Sequence, residues 1–156
     1  MNIVSFGGGT NSTAMIIGMY QRNIPIDMII FADTGSEKPE TYNFVAELRA
    51  WLVKNGLPDI SIVQTVNKHG EKITLEQDCL LQKGLPGVAY GRPDCATKFK
   101  IQPQEKHCNN LEDCKVIWKR GEKIDKYIGF DAGVDQAFAA GEVVFQRRYR
   151  HIRSVG

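Results

Sequence analysis

The first twenty residues constrain the fold more than any other part of the chain. Asn2–Phe6 is a short β-branched and aromatic run that stops at Gly7-Gly8-Gly9. Thr10-Asn11-Ser12-Thr13 follows and leads into an apolar run, Ala14-Met15-Ile16-Ile17 to Met19. β-branched residues suit a strand, and a glycine triplet ends one. Asn, Ser and Thr before an apolar run start a helix, because their short side chains satisfy its first N–H groups. The chain therefore opens as strand, glycine turn, helix. Asp27–Ala32 is a second strand, apolar without alternation, as in parallel sheets covered on both faces. Ser36-Glu37-Lys38-Pro39-Glu40 begins the next helix, with proline near the first turn and acids at the positive dipole end. Phe44, Leu48, Trp51 and Leu52 recur at helical spacing until Gly56 and Pro58 end that helix. Ile60–Val66 reads as a third strand. Alternating strands and helices predict a three-layer α/β/α domain with a mostly parallel sheet and right-handed crossovers. Ligands in such sheets bind at the carboxyl ends of the strands.

Further along, Thr74–Leu81 reads as a short helix and Lys83–Pro93 as loop. Lys98–His107 reads as a helix despite Pro103, Asp125–Phe130 as a strand and Ala132–Ala140 as a weak helix. At 156 residues the whole chain, 1–156, reads as one domain. A net charge of +2 argues against a nucleic-acid binder that relies on bulk charge. The charge is uneven, however. Residues 1–66 carry four basic and six acidic groups, and residues 67–156 carry sixteen basic and twelve acidic ones. Arg147, Arg148, Arg150 and Arg153 have no acid after Glu142. The segment 142–156 reads as a basic tail, either solvated or folded as a lip over a polyanion, nucleotide or nucleic acid. No apolar run approaches the roughly 18 residues that span a bilayer. The start Met1-Asn2-Ile3-Val4 has no basic leader, which points to a cytoplasmic protein with reduced thiols.

The glycine turn has the chemistry of an anion site. Glycines let backbone N–H groups approach an anion closely, and the following helix aims its positive end at it. The hydroxyls of Thr10, Ser12 and Thr13 are candidate donors to phosphate oxygens. No lysine follows at Walker spacing, and Ser12 stands where the third glycine of GxGxxG belongs.

Four segments together resemble a known family. Ser5-Phe6-Gly7-Gly8-Gly9-Thr10-Asn11-Ser12 is similar to the PP-loop of the adenine nucleotide α-hydrolases. Phe31-Ala32-Asp33-Thr34-Gly35 followed by Pro39-Glu40-Thr41-Tyr42 resembles the second signature of the phosphoadenosine phosphosulfate (PAPS) reductase group. Cys95-Ala96-Thr97-Lys98-Phe99-Lys100 is similar to its Cys-Thr-x-x-x-Lys segment, and Ile128–Gly133 to its Gly-Ile-x-Ala segment. The resemblance implies a Rossmann-like PP-loop fold that binds ATP or PAPS, with Mg²⁺ accompanying ATP. It implies nucleotide contacts at Ser5, Phe6, Gly7, Gly8, Gly9, Thr10, Asn11, Ser12, Asp33, Thr34, Gly35, Glu40 and Gly129. It implies catalytic work at Lys98, Lys100 and Cys95. Either ATP is cleaved at its α-phosphorus in an adenylation or sulfur transfer, or PAPS is reduced by a thiol. The chain departs from the pattern in places. Gly7 replaces the first Ser of the PP-loop, Thr10 stands where many members carry Lys, and Asn11 replaces Asp. No cysteine follows Cys114, so the reductases' C-terminal Glu-Cys-Gly-x-His segment is missing; the chain reads as a minimal or truncated form. A catalytically weak nucleotide-binding module and a nucleic-acid modification factor remain as alternative functions.

Asp33 reads either as a turn residue capping its own backbone or as a contact to adenosine or a metal. Glu40 reads as a helix-start acid or a ligand contact. Arg92, Lys98 and Lys100 read as an ordinary basic surface or as partners of phosphate or sulfate. Cys95 is a candidate redox nucleophile, its thiolate favoured by Arg92 and Lys98. Cys79, Cys95, Cys108 and Cys114 contain no Cys-x-x-Cys pair, so zinc and an iron–sulfur cluster are not expected and the metal-ligand set is none. His69, His107 and His151 are unpaired in sequence and read as surface residues. Trp51 reads as core, while Phe6 reads as a flank for the base. The expected partners are an adenine nucleotide and, through the Arg-rich segment, a nucleic acid or protein. No membrane is expected, and a homo-oligomer is left open.

Overall fold

The computed structural model describes residues 1–85, 94–129 and 145–149. A five-stranded sheet forms its middle layer, built from β1 (Asn2–Phe6), β2 (Met28–Asp33), β3 (Ile60–Gln64), β4 (Asp125–Gly129) and β5 (Phe145–Tyr149). The strand order is β3-β2-β1-β4-β5. β1 pairs in parallel with β2 and with β4, and β2 pairs in parallel with β3. β5 runs antiparallel to β4, with Asp125 opposite Tyr149 and Gly129 opposite Phe145. Part of the segment expected as a tail is therefore an edge strand. Its sequence, Phe-Gln-Arg-Arg-Tyr, has aromatic ends around a charged middle, and its positive charge masked the strand pattern. The expected helix over 132–140, the Gly-Ile-x-Ala resemblance beyond Gly129, Arg92 and His151 lie outside the described residues.

Both faces of the sheet carry helices, which confirms the three-layer α/β/α architecture. α1 (Thr10–Gln21) and α2 (Pro39–Lys54) cover one face. There Val4, Phe6, Ile29 and Phe31 from the strands meet Met15, Ile16 and Met19 of α1 and Val45, Leu48 and Leu52 of α2. Trp51 and Phe44 pack at the margin of this core as expected, with Trp51 edge-on to Tyr20 at 5.4 Å between ring centroids. Successive residues of a strand face opposite ways, so Ile3 and Ile30 point to the other layer. Cys108 of α5 (Gln102–Asn110) and Cys114 of α6 (Glu112–Lys119) close over them with Ile124. These two thiols behave as small hydrophobes. Burial raises both above the usual cysteine range, Cys114 to about 11.

Between β3 and α5 lie α3 (Leu75–Gln82), the short α4 (Asp94–Ala96) and a π-helical turn, Thr97–Ile101. α3 starts one residue later than expected because Thr74 is its cap. The Thr74 hydroxyl accepts from the Gln77 N–H, and the Gln77 side chain accepts from the Thr74 N–H. The π turn explains how a helix runs past Pro103. The Gln102 N–H reaches back five residues to the Thr97 carbonyl, and Pro103 falls in the first turn of α5, where no N–H is required. No helix among the described residues is long and apolar enough to cross a membrane.

Candidate functional site

The glycine turn sits at the carboxyl edge of the central strand β1, between the ends of β2 and β4. Gly8 has φ of +74°, and a Cβ there would lie 2.9 Å from Thr41 Cγ2 and 3.1 Å from Phe31 Cε2. Glycine is required at that position on both counts. Gly129 ends β4 directly against the first turn of α1. A Cβ there would lie 2.8 Å from the Asn11 carbonyl oxygen, and backbone cannot yield as a side chain tip can. The two glycines thus set where α1 begins.

α1 starts without a cap. Gly9 precedes it and has no side chain to bond its first N–H groups, and no acid lies in its first turn. Its positive end therefore carries neither a side-chain cap from Gly9 nor an acid of its own, which favours an anion there. The hydroxyls are arranged differently from expectation. Ser12 Oγ accepts from the Gly7 N–H at 3.2 Å and donates to the Gly9 carbonyl at 3.0 Å. Thr13 Oγ1 donates to the same carbonyl at 2.9 Å. Both hydroxyls build the turn, and Thr10 remains the exposed one.

A cavity of about 910 Å³ opens beside this turn, on the sheet face that α5 covers. Of the residues singled out in the sequence, Ser5, Phe6, Gly7, Gly9, Thr10, Asn11, Ser12, Lys100 and Gly129 line it. Phe6 borders the cavity, and its ring is part of the core, 1% exposed and packed on Phe31 with centroids 5.8 Å apart. Lys100 is exposed and forms no ion pair among the described residues.

The other candidates stand away from the cavity. Asp33 closes its own turn: Oδ1 accepts from the Gly35 N–H and from the Tyr42 hydroxyl, both at 2.8 Å, and Oδ2 accepts from Gln64 Nε2 at 2.7 Å. Desolvation, and then the Asp33 carboxylate, push the Tyr42 phenol above its ordinary value. Thr34 is buried and donates to Glu37, and Glu40 is exposed in the first turn of α2. Lys98 forms an ion pair with Asp78 at 2.7 Å, tying the π turn to α3. Lys98, one of the two cations expected beside Cys95, thus has a carboxylate partner, while the other, Arg92, lies outside the described residues; Cys95 is half-buried and does not line the cavity. His69 is exposed as expected, and His107 is half-buried.

Sequence reasoning missed the cavity's inner wall. Ile3, Ala32, Ala96, Ile101, Gln104, Glu105, Cys108 and Ile124 line it, as do Lys126 and Ile128 of β4. Lys126 stands opposite Ile3 and Ile128 opposite Ser5 in the β1–β4 register, so each pair shares a face. Alternation along β4 was readable, but its partner strand was not. Gln104 carries no signal of its own in the sequence.

A parallel α/β sheet with a glycine turn and an uncapped helix at its switch point is a class of domain that presents an anion-binding edge. The profile of the phosphoadenosine phosphosulfate reductase domain matches residues 1–123, and the chain belongs to that family, within the PP-loop adenine nucleotide α-hydrolase superfamily. The match ends before β4, so Lys126 and Gly129 lie beyond it. No curated protein matches the chain at a significant level.

Proposed function

We propose that the chain binds an adenine nucleotide, with its phosphates over the glycine turn and the uncapped start of α1. The observation that carries this reading is the 910 Å³ cavity at that helix start. Its volume lies at the upper end for small-molecule sites. The backbone N–H groups and helix dipole supply most of the attraction, and Lys100 adds a mobile charge at the rim. Reaction follows at the α-phosphorus, with pyrophosphate leaving and an acceptor taking the adenylyl group. The protein's share is positioning and charge neutralisation. Magnesium would arrive with the nucleotide phosphates, and Glu105 and the Asn11 amide are the cavity groups that would hold it.

A catalytically weak binding module is the second reading. It is favoured by the Lys98–Asp78 pair, in which Lys98 has a carboxylate partner and does not line the cavity. Calorimetry with ATP and with PAPS in Mg²⁺, and phosphorus NMR of the products, separate the readings. Binding with pyrophosphate release supports adenylyl transfer. Sulfite release from PAPS with a thiol donor supports reduction. Binding without either product supports the module. Gly8→Val is expected to weaken binding more than tenfold, and Ser12→Ala several-fold by loosening the turn. Circular dichroism of both variants tells loss of binding from loss of fold. A wild-type protein that binds neither nucleotide would overturn the proposal.

A further inference from the structure

The inner wall of the cavity holds two polar groups that the nucleotide reading does not use. Gln104 is 3% exposed, lines the cavity, and its Oε1 has no hydrogen-bond partner among the described residues. A buried acceptor left unpaired is unfavourable and marks a place where a partner is wanted. Lys126 lines the same wall, and among the described residues it meets no carboxylate; the charged-form neighbour it feels is the Cys108 thiol. Burial holds its ammonium below the ordinary lysine range. Around the two groups Ile3, Ile128 and Cys108 are apolar, and Ser5 marks the end nearest the glycine turn. Lys126 pairs with Ile3 and Ile128 with Ser5, two residues nearer the turn. Lys126 therefore lies about 7 Å deeper along the strands than Ser5.

We propose that this inner wall is a second subsite, for a small organic acid that carries an N–H or O–H donor near its carboxylate. The carboxylate meets Lys126 and the donor meets Gln104 Oε1. α-Amino acids and 2-hydroxy acids with an apolar side chain have that chemistry. The inference rests on the reading that the glycine turn holds a nucleotide, since the acid then lies beside it. A separation of about 7 Å suits a molecule of four or five heavy atoms in extension between Lys126 and the turn.

The test is an NMR titration of the full isotope-labelled chain, first with Mg·ATP and then with three matched sets of compounds. One set is apolar α-amino and 2-hydroxy acids, the second their carboxamides, the third the same acids lacking the amino or hydroxy group. The expected result is binding by the first set, with shifts at Ile3, Ile128 and the Gln104 side-chain amide. Carboxamides should bind at least tenfold more weakly. Lys126→Met should abolish the preference for the carboxylate, and Gln104→Leu the preference for the donor. Both substitutions keep the side-chain volume and remove a buried polar group, so the fold tolerates them. Equal binding by acids and carboxamides would overturn the subsite, as would no binding by any acid up to the millimolar range. Failure of the nucleotide reading appears separately, as absence of ATP-induced shifts at the glycine turn while the acid shifts persist.

Discussion

Gly129 and Gly8 do the same work from opposite sides, and each admits a direct test. A methyl at Gly129 meets the backbone of Asn11, so α1 must move away from β4. Gly129→Ala is expected to lower stability by about 1–3 kcal/mol, as overpacking does, and to cut nucleotide affinity at least tenfold. Denaturant unfolding and calorimetry read the two effects. Gly8→Ala places a side chain at φ of +74° against Thr41 and should cost about 1–3 kcal/mol. Ser12 shows how far residue-level reading reaches. Its position in the turn was legible because hydroxyls cluster at helix starts. Its hydrogen bonds to Gly7 and Gly9 were not, because the direction of a hydroxyl depends on how the turn folds. The same holds for Asp33. Its place at a strand end was readable, but its engagement by Gly35, Tyr42 and Gln64 depends on residues up to 31 positions away.

The elements divide by how much of their pattern is local. β1, α1, β2, α2 and β3 were legible because each has a continuous apolar run or a helical stripe bounded by turn residues. α6 was not read at all, although Leu111, Cys114, Ile117 and Trp118 repeat at helical spacing and pack on the sheet. The charges at Glu112, Asp113, Lys115 and Lys119 dilute that stripe. β5 was missed because an antiparallel edge strand needs only one neighbour and little apolar content. α3 is the least anchored element, with no buried residue. It is held by its capping box, by the Leu75 N–H donating to the Thr34 carbonyl at 2.9 Å, and by the Lys98–Asp78 pair. Thr74→Ala together with Asp78→Asn is expected to speed amide exchange across α3 by tenfold or more. Global stability should fall by only about 1–2 kcal/mol, since one cap contributes about 1 kcal/mol and a half-exposed pair less. Exchange that stays slow in α3 would show that it is held by more than these contacts.

At the scale of the molecule, two buried groups oppose each other in alkaline solution. Lys126 has a folded pKa below its usual value near 10.5, so its charge is a burden throughout neutral pH that is relieved as pH rises towards 10.5. Cys114 is raised from 9.0 to about 11, so the stability it contributes is complete below pH 9 and lost between 9 and 11. Lys126→Met should therefore gain most over wild type near pH 7 and lose that advantage by pH 10.5. Cys114→Ala should show a shallower alkaline decline than wild type between pH 9 and 11. Thermal denaturation across pH 7–11 measures both, and comparing slopes removes the fixed effect of the cavity that alanine leaves. The order of the sheet has a consequence for synthesis. β1 is made before the other strands described and lies at the centre, with Asn2 beside Asp125 on one side and Ile3 beside Met28 on the other. Its β4 edge stays unpaired until residues 125–129 leave the ribosome, roughly 6–25 s later at 5–20 residues per second. The glycine turn is translated well before the wall that Gly129 presses against it. A nascent chain of this kind carries an open strand edge while residues 7–124 are translated, which is the interval in which a chaperone would find it.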